Sequence, residues 1–600
     1  MKRREFLLSS AMAAGAFMIP GAWGRASAEP SVAWGREGGL FTSVLCDGRP
    51  MSSLRTPLLS PLCRSLHGTG ETAATTTSLT HSVRNSGAGC GEDLLEAGLR
   101  VTNTSASPIR CEIGFASAVQ PSPQTEDQRV YLPLSAAALL RDERFSALGM
   151  PEFLQDCSQH VGVGNFKAHY LEPMASHRSD TTTRALLLAP VIQVSAPGTP
   201  WRTAIFTPSD EPMRFHAKNG RWEASREVLL APGESWTARC WLLLHKGDAS
   251  EAWSAFHRFA HREDHQIPDW VRGTKVHYFD YLSSAAGEHG KRGDGYDADL
   301  ASFRRFGVGL ATQHGYYPSI GDYIRPDRPS WMAMRGDRNG PAPMTIKIMQ
   351  RRIADTKATG AKAAVYMHAA LFDDAAPCFH NLQDCIQMDA NGSRMGFGWT
   401  GPDTAGKTWR ASLASAEWRD HLLEQAGWIM EILKPDAIVV DETFAGLGYD
   451  YHPGRSGPTS GGAIDFYRRL RSLVRSHGSD KAFFSSDCSM SPFVLWADGE
   501  CGDHAYTKLL GHPLYAEQPV RYLAALGDKP WIPCAWNFGK LWDQQLHLAR
   551  LVGAGVGVSN GWIEYTGLAR LPEATKNRML ADLASLKGNG KPSGSPSRRS

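Results

Sequence analysis

Asp441 and Glu442 stand side by side at the end of the run Asp436-Ala437-Ile438-Val439-Val440, so four apolar residues deliver two carboxylates to one point. Paired carboxyl groups do the work of glycosidic-bond hydrolysis, in which one group holds a proton and another is ionised. A second acidic stretch, Trp496-Ala497-Asp498-Gly499-Glu500-Cys501-Gly502-Asp503-His504, could supply the protonated member. Glu500 ranks first there, because Gly499 permits a tight turn presenting it, followed by Asp503 and then Asp498. Partial burial beside acids or aromatics would raise the chosen group's pKa and keep its proton near neutrality. A spacing of roughly 5–5.5 Å between the two carboxyls would give retention, and roughly 6.5–9.5 Å inversion.

Other residues close apolar runs in the same manner and form a candidate substrate-binding rim: Asp280 and Tyr281, His314 with Tyr316 and Tyr317, His368, Glu442, Asp487, Trp536 with Asn537, and Trp562 with Glu564. Aromatic faces pack on the apolar faces of pyranose rings while Asp, His and Asn bond hydroxyls, so the mixture suits a neutral saccharide. Taken singly, a Trp is more often core than platform. His314, His368, Asp441, Asp487 and His504 could instead converge on a metal, which makes a metal-dependent barrel hydrolase one alternative. No HxH or HExxH spacing anchors a first ligand pair, so no metal or other cofactor is expected. A non-catalytic saccharide-binding protein is the other alternative. Serine hydrolase chemistry is disfavoured, since the match Gly557-Val558-Ser559-Asn560-Gly561 has no histidine after it.

The elements that must position these residues follow from periodicity. Beyond residue 270, strand-like runs at Lys275–Asp280, Val308–His314, Ala363–His368, Ala437–Glu442, Ala482–Asp487, Trp531–Trp536 and Val556–Ser559 alternate with helical stripes at Thr345–Thr359, Ser415–Leu433, Ile464–His477, Pro519–Leu526, Leu541–Val552 and Glu573–Lys587. Such alternation gives a parallel sheet, and about eight repeats predict closure into a (β/α)8 TIM-type barrel whose catalytic groups sit at the carboxyl ends of the strands. Too few residues separate Asp487 from Val494 for a full parallel crossover, so Pro492–Ala497 reads as a stunted crossover helix. The sixth strand is then short, around Asp498–Gly502, and the barrel irregular around strands five and six. No Gly-rich phosphate loop follows the first strand, which argues against an open nucleotide-binding sheet.

From residue 31 to 247 the pattern changes to short alternating runs such as Leu99–Thr104, Cys111–Ala116, Ala185–Val194, Thr203–Thr207 and Trp236–His245, separated by turn residues, which predicts an antiparallel β-sandwich. A helical stretch at Ala249–His261 and the punctuation Pro268-Asp269-Trp270 lead to a catalytic barrel expected over 270–587. Residues 588–600 are too polar to bury anything and are expected to be disordered.

The run Ser415-Ala416-Glu417-Trp418-Arg419-Asp420, the long helix after it, and Pro435-Asp436-Ala437-Ile438-Val439-Val440-Asp441-Glu442 together resemble the passage from third helix to fourth strand of retaining α-glycosidases of the α-galactosidase and α-glucosidase superfamily. In that superfamily a β-sandwich precedes the barrel, and the Asp ending strand four is the nucleophile. The resemblance therefore implies a retaining glycoside hydrolase with Asp441 in that role. The chain departs from the pattern in lacking an evident C-terminal β-domain.

The amino terminus reads as an export signal. Lys2-Arg3-Arg4-Glu5-Phe6-Leu7, an apolar stretch to Ile19 and the small-residue site Ala26-Ser27-Ala28 make a twin-arginine leader over 1–28. The twin-arginine export machinery is then a partner, and the expected location is periplasmic or secreted. The chain carries 64 Lys+Arg against 61 Asp+Glu; removing Lys2, Arg3, Arg4, Arg25 and Glu5 with the leader leaves the two signs equal. A neutral chain has no long-range field for nucleic acid or anionic lipid, and no later segment is apolar and long enough for stable membrane insertion. The 11 cysteines lack CxxC spacing and are odd in number, so no disulfide scaffold is expected, although Cys378 and Cys385 could form a local bridge.

Overall fold

The computed structural model describes residues 32–588 apart from 52–56, 67–74, 88–91, 118, 120–128, 132–165, 172–184, 197, 219–220, 248, 262, 264–265, 281–294, 338–339, 398–405, 487–491, 502–526, 533–539 and 560–567. The leader and residues 589–600 of the expected tail thus lie outside the described residues, as does the expected helix at 519–526, while Gly588 ends the helix Glu573–Gly588. No helix among the described residues is long and apolar enough to cross a membrane.

The amino-terminal part is a β-sandwich. One six-stranded sheet runs, in spatial order, Ala185–Leu186, Phe166–Tyr170, Met213–Lys218, Arg221–Leu230, Ile109–Ser117 and Ser60–Ser65; the other runs Thr75–Asn85, Glu92–Asn103, Ser235–His245, Arg202–Phe206, Val191–Ser195 and Arg129–Tyr131. The expected single run Ala185–Val194 is split into two strands in different sheets. Pro190, which has no amide hydrogen to donate, sits at the break. Inward-facing residues such as Leu95, Val101, Ile113, Phe115, Phe215 and Leu242 fill the space between the sheets.

The carboxyl-terminal part is an eight-stave parallel barrel. We label its staves β1 (Val276–Asp280), β2 (Leu310–Gln313), β3 (Lys362–His368), β4 (Ala437–Asp441), β5 (Ala482–Ser485), β6 (Gly499–Glu500), β7 (the bridge at Trp531) and β8 (Val556–Ser559). Parallel ladders join β1 through β6 in order and join β8 back to β1. The ring closes through β7: Glu500 N–H bonds the Pro530 carbonyl at 2.9 Å, Ile532 N–H the Glu500 carbonyl at 2.8 Å, and Gly555 N–H the Trp531 carbonyl at 2.7 Å. Among the described residues between β5 and β6 stands a 3₁₀ turn, Pro492–Trp496, in keeping with the short spacing, and β6 is two residues long.

Local chemistry fixes where each stave begins. The Ser415 hydroxyl accepts the Trp418 amide and so caps helix Ala416–Trp428, the helix that leads into β4. That helix ends in a π turn, Ile429–Leu433, and Lys434 takes the left-handed conformation that turns the chain toward the sheet. Asp436 then accepts the Ala363 amide at 3.1 Å and is surrounded by Lys357, Lys362 and Lys481, which ties the start of β4 to its neighbours. Ile438, Val439 and Val440 are wholly buried, as befits a stave covered on both faces.

Sandwich and barrel share one core. His261, between them, takes the Ser209 hydroxyl at 2.8 Å and the Leu495 carbonyl at 3.0 Å and packs against Phe256 and Trp496. Lys529 is buried at this seam with its ammonium on the Val494 and Leu495 carbonyls, and burial pushes its pKa down to about 7.

Candidate active site

In a parallel sheet, residues in register share a face, and the face switches with each residue along a strand. The pairs Tyr366↔Val439, Val439↔Phe484 and Phe484↔Gly499 therefore mark one continuous face, and His368↔Asp441 lies on the same face two residues further on. This is the interior of the barrel, because the alternate residues meet the helices: Tyr278 bonds Asp299 and packs on Phe303, and Phe483 packs on Tyr467 of helix Ser460–Ser476. Asp441 thus stands at the carboxyl end of β4 and inside the ring, as the sequence predicts.

Its carboxylate is held at both oxygens. The Tyr366 hydroxyl donates to Oδ2 at 2.5 Å, and the Glu442 amide donates to Oδ1 at 2.7 Å. Glu442 makes that second bond from a left-handed backbone conformation, with φ of 58°, which a residue with a Cβ adopts at a cost of about 1 kcal/mol. The strain aims the amide back at the preceding side chain. Hydrogen bonds of this kind fix its rotamer.

Aromatic and imidazole rings surround Asp441. His314 lies with its ring centre 3.7 Å from that of Tyr366, Phe279 sits 5.3 Å from His314, and His368 meets Tyr366 edge-on at 5.0 Å. Tyr317 stacks beside Tyr366, and its hydroxyl is 3.3 Å from His368 Nε2. His314 and His368, both singled out in the sequence, are brought together with Asp441. Tyr366 does not close its strand and so carries no strand-end signal, yet the period-two series Ala364, Tyr366, His368 within β3 marks it as inward.

Several expected site residues stand elsewhere. Asp280 falls on the outer face with Tyr278, in register with Gln313, where its charge raises the pKa of Tyr278 and Tyr296 alongside burial. It belongs to the layer between strand and helix, because β1 places Phe279, one residue earlier, inward. Tyr316 is wholly buried, its hydroxyl donating to the Tyr366 carbonyl at 3.1 Å, so it props β3 rather than the rim. Glu500 pairs with Ser485 and Trp531, one residue beyond the inward Gly499, and so shares the helix-facing side with Asp498. Period two thus turns both Glu500 and Asp498 away from the interior. A Cβ at Gly499 would meet the Phe484 ring at 2.9 Å, so the small residue is needed for packing inside the ring. Asp487, Asp503, His504, Trp536 and Trp562, with Tyr281, Asn537 and Glu564, lie outside the described residues.

Asp498 has a structural position. It is completely buried, takes Arg475 at 2.8 Å and accepts the Phe483 amide at 2.9 Å, clamping β5, β6 and helix Ser460–Ser476. Burial raises its pKa while Arg475 and that amide pull it down. Removing one member of such a pair strands the other, so Asp498→Ala is expected to cost about 3 kcal/mol of stability. Chemical denaturation checks this, and the folded fraction should keep its kcat/KM.

Cys378 and Cys385 are free thiols: Cys378 faces the Gly321 carbonyl and His421, and Cys385 faces Ser415 and Glu417. Their side chains serve different neighbours, so the local bridge does not form. Among the described residues no three His, Cys, Asp or Glu side chains converge to hold a metal ion.

Removing the Tyr366 hydroxyl should act through Asp441. Tyr366→Phe frees one carboxylate oxygen to rotate, and where that carboxylate is a reacting group its misplacement is costly to the rate even with substrate binding intact. We expect kcat to fall about tenfold or more with KM changed by less than about twofold, measured by initial rates on an aryl glycoside.

No family model matches the chain, and no curated protein matches it in sequence. Solved structures do match its fold. The GH36 α-galactosidase AgaA from Geobacillus stearothermophilus superposes with a TM-score of 0.54 at 12% identity, covering 88% of this chain and 73% of that one. AgaB from the same organism gives 0.54 at 11% identity over 90% and 74%. An α-galactosidase from Lactobacillus brevis gives 0.52 at 12% identity over 93% and 70%. The likeness spans sandwich and barrel together, and it is a likeness of architecture.

Proposed function

We propose that this protein is a retaining glycoside hydrolase in which Asp441 attacks the anomeric carbon and an acid that follows β6 in the chain protonates the departing oxygen. The observation that carries the reading is the pinned, inward-facing Asp441 carboxylate within a ring of aromatic and imidazole side chains. Its place at the carboxyl end of a barrel strand is where barrel enzymes keep their catalytic groups. Support comes also from the shared fold, since AgaA variants with an aspartate replaced have been solved with raffinose and with stachyose bound.

For the acid/base role we favour Asp503 over Glu500. Asp503 lies in the segment leaving the carboxyl end of β6, whereas alternation turns Glu500 toward the helices. Attack by Asp441 forms a covalent glycosyl-enzyme while the acid gives its proton to the glycosidic oxygen; the same group, now ionised, takes a proton from water, which releases the sugar with its original anomeric configuration. His314, His368 and Tyr317 would bond substrate hydroxyls, and the Tyr366 and Phe279 rings would shape an apolar wall. The substrate class is an oligo- or polysaccharide. The leader over 1–28 would send the folded protein through the twin-arginine machinery to the periplasm or beyond, leaving the sandwich over 31–247 and the barrel over 270–587.

Hydrolysis of a panel of aryl glycosides, α-galactosides first, together with raffinose, stachyose and cell-wall polysaccharides tests the reading. Turnover that survives exhaustive chelation, with the initial product keeping the anomeric configuration, is expected. Sugar binding without turnover on any member of the panel would show a binding protein instead.

A further inference from the structure

A cleft of about 550 Å³ opens where the sandwich meets the outer surface of the barrel. Its floor is the outward face of three strands, Thr75–Asn85, Glu92–Asn103 and Ser235–His245, whose registers align Thr80 with Gly98 and Gly98 with Arg239, and Ser78 with Arg100 and Arg100 with Thr237. Small side chains leave the room: a Cβ at Gly98 would stand 2.8 Å from the Thr80 hydroxyl. Asp210 and Glu211 form one wall. Arg468, on a barrel helix, continues that wall, paired to Asp210 at 3.1 Å and to Glu263 at 2.6 Å. The cleft sits outside the ring of staves and shares no residue with the surroundings of Asp441.

Its chemistry selects a ligand class. Three guanidinium groups, Arg100, Arg239 and Arg468, face three carboxyls, Asp210, Glu211 and Glu263, so an anion would meet the acids and a cation the arginines. Glu211 lines the cleft, and its buried Oε2 has no hydrogen-bond partner among the described residues. Burial pushes the Glu211 carboxyl up to about 7, with Asp210 adding to the rise and Arg226 and Arg239 opposing it, so near neutrality it can donate as well as accept. A saccharide hydroxyl does both too, and donors and acceptors alternating around a neutral polyol match this lining where a single charge does not. The size falls within the range of small-ligand pockets, and domain junctions are a common place for them.

We propose that this cleft is a second, non-catalytic saccharide-binding site, with Glu211 and Arg239 bonding the hydroxyls of a neutral oligosaccharide. It would hold a chain while the barrel acts on another part of it. The inference stands on the cleft's own residues, so it is tested separately from hydrolysis.

Isothermal calorimetry on the full-length Asp441→Asn protein with raffinose, stachyose, cellotetraose and xylotetraose provides the test. A binding event for at least one sugar is expected to persist in that background and to weaken tenfold or more on adding Arg239→Ala. Thr237→Trp fills the cleft from an exposed position and should abolish the same event with an unchanged melting temperature. With Asp441 intact, Arg239→Ala should leave kcat/KM on a small aryl glycoside unaltered. Absence of binding across the four sugars, or binding indifferent to both cleft substitutions, overturns the proposal.

Discussion

Asp441→Asn is expected to give a folded protein whose kcat/KM on activated aryl glycosides falls on the order of 10⁴-fold or more, the scale seen when a covalent nucleophile is lost. The substitution is nearly isosteric, and the pocket can accommodate it. The new amide oxygen can still accept from the Glu442 N–H, while the amide nitrogen can donate to the Tyr366 hydroxyl, which then acts as acceptor. The melting temperature should therefore stay close to that of the native protein, and the rate loss would report chemistry rather than folding. Asp441→Ala makes a complementary variant with space for an added anion. Azide or formate entering that space should restore turnover in part and yield a product of inverted configuration, because the small nucleophile attacks from the same side as the missing carboxylate and is not itself displaced. Unchanged turnover in a folded Asp441 variant would sink the hydrolase assignment.

Asp503→Asn should separate leaving groups. A general acid contributes on the order of 10²–10⁴-fold where the departing oxygen needs a proton and far less where the leaving group is already stable as an anion. We expect kcat/KM for raffinose or an alkyl glycoside to fall roughly 10³-fold, and that for a dinitrophenyl glycoside to fall much less. With the dinitrophenyl substrate the second step should become limiting, because no base remains to activate water, so a burst of phenol should precede a slow steady state. Glu500→Gln serves as the paired measurement. Its side chain belongs to the helix-facing row with Asp498, so it should alter stability and leave the leaving-group dependence intact. A collapse in Glu500→Gln with normal Asp503→Asn kinetics would reverse the assignment of the acid.

The chain sequence by itself determined the order of elements and the stave that carries Asp441. The short, β-branched apolar run between Asp436 and Asp441 reads as a strand buried on both faces, and the crowding between Asp487 and Val494 excludes a full crossover helix, so both features follow from local pattern. Closure of the ring was also foreshadowed by the number of repeats, but the stave that completes it, a single bridge at Trp531, has too little length to show a period. Which acids face the interior was decided by tertiary structure alone. Whether Glu500 or its neighbour points inward depends on the register between β5 and β6, and a shift of one residue exchanges the two faces. That register is set by contacts distant in sequence, above all the clamp of Asp498 on Arg475 and the packing of Gly499 against Phe484. The same holds for Tyr366, whose hydroxyl finds Asp441 across 75 residues of chain because β3 and β4 pair with His368 beside it.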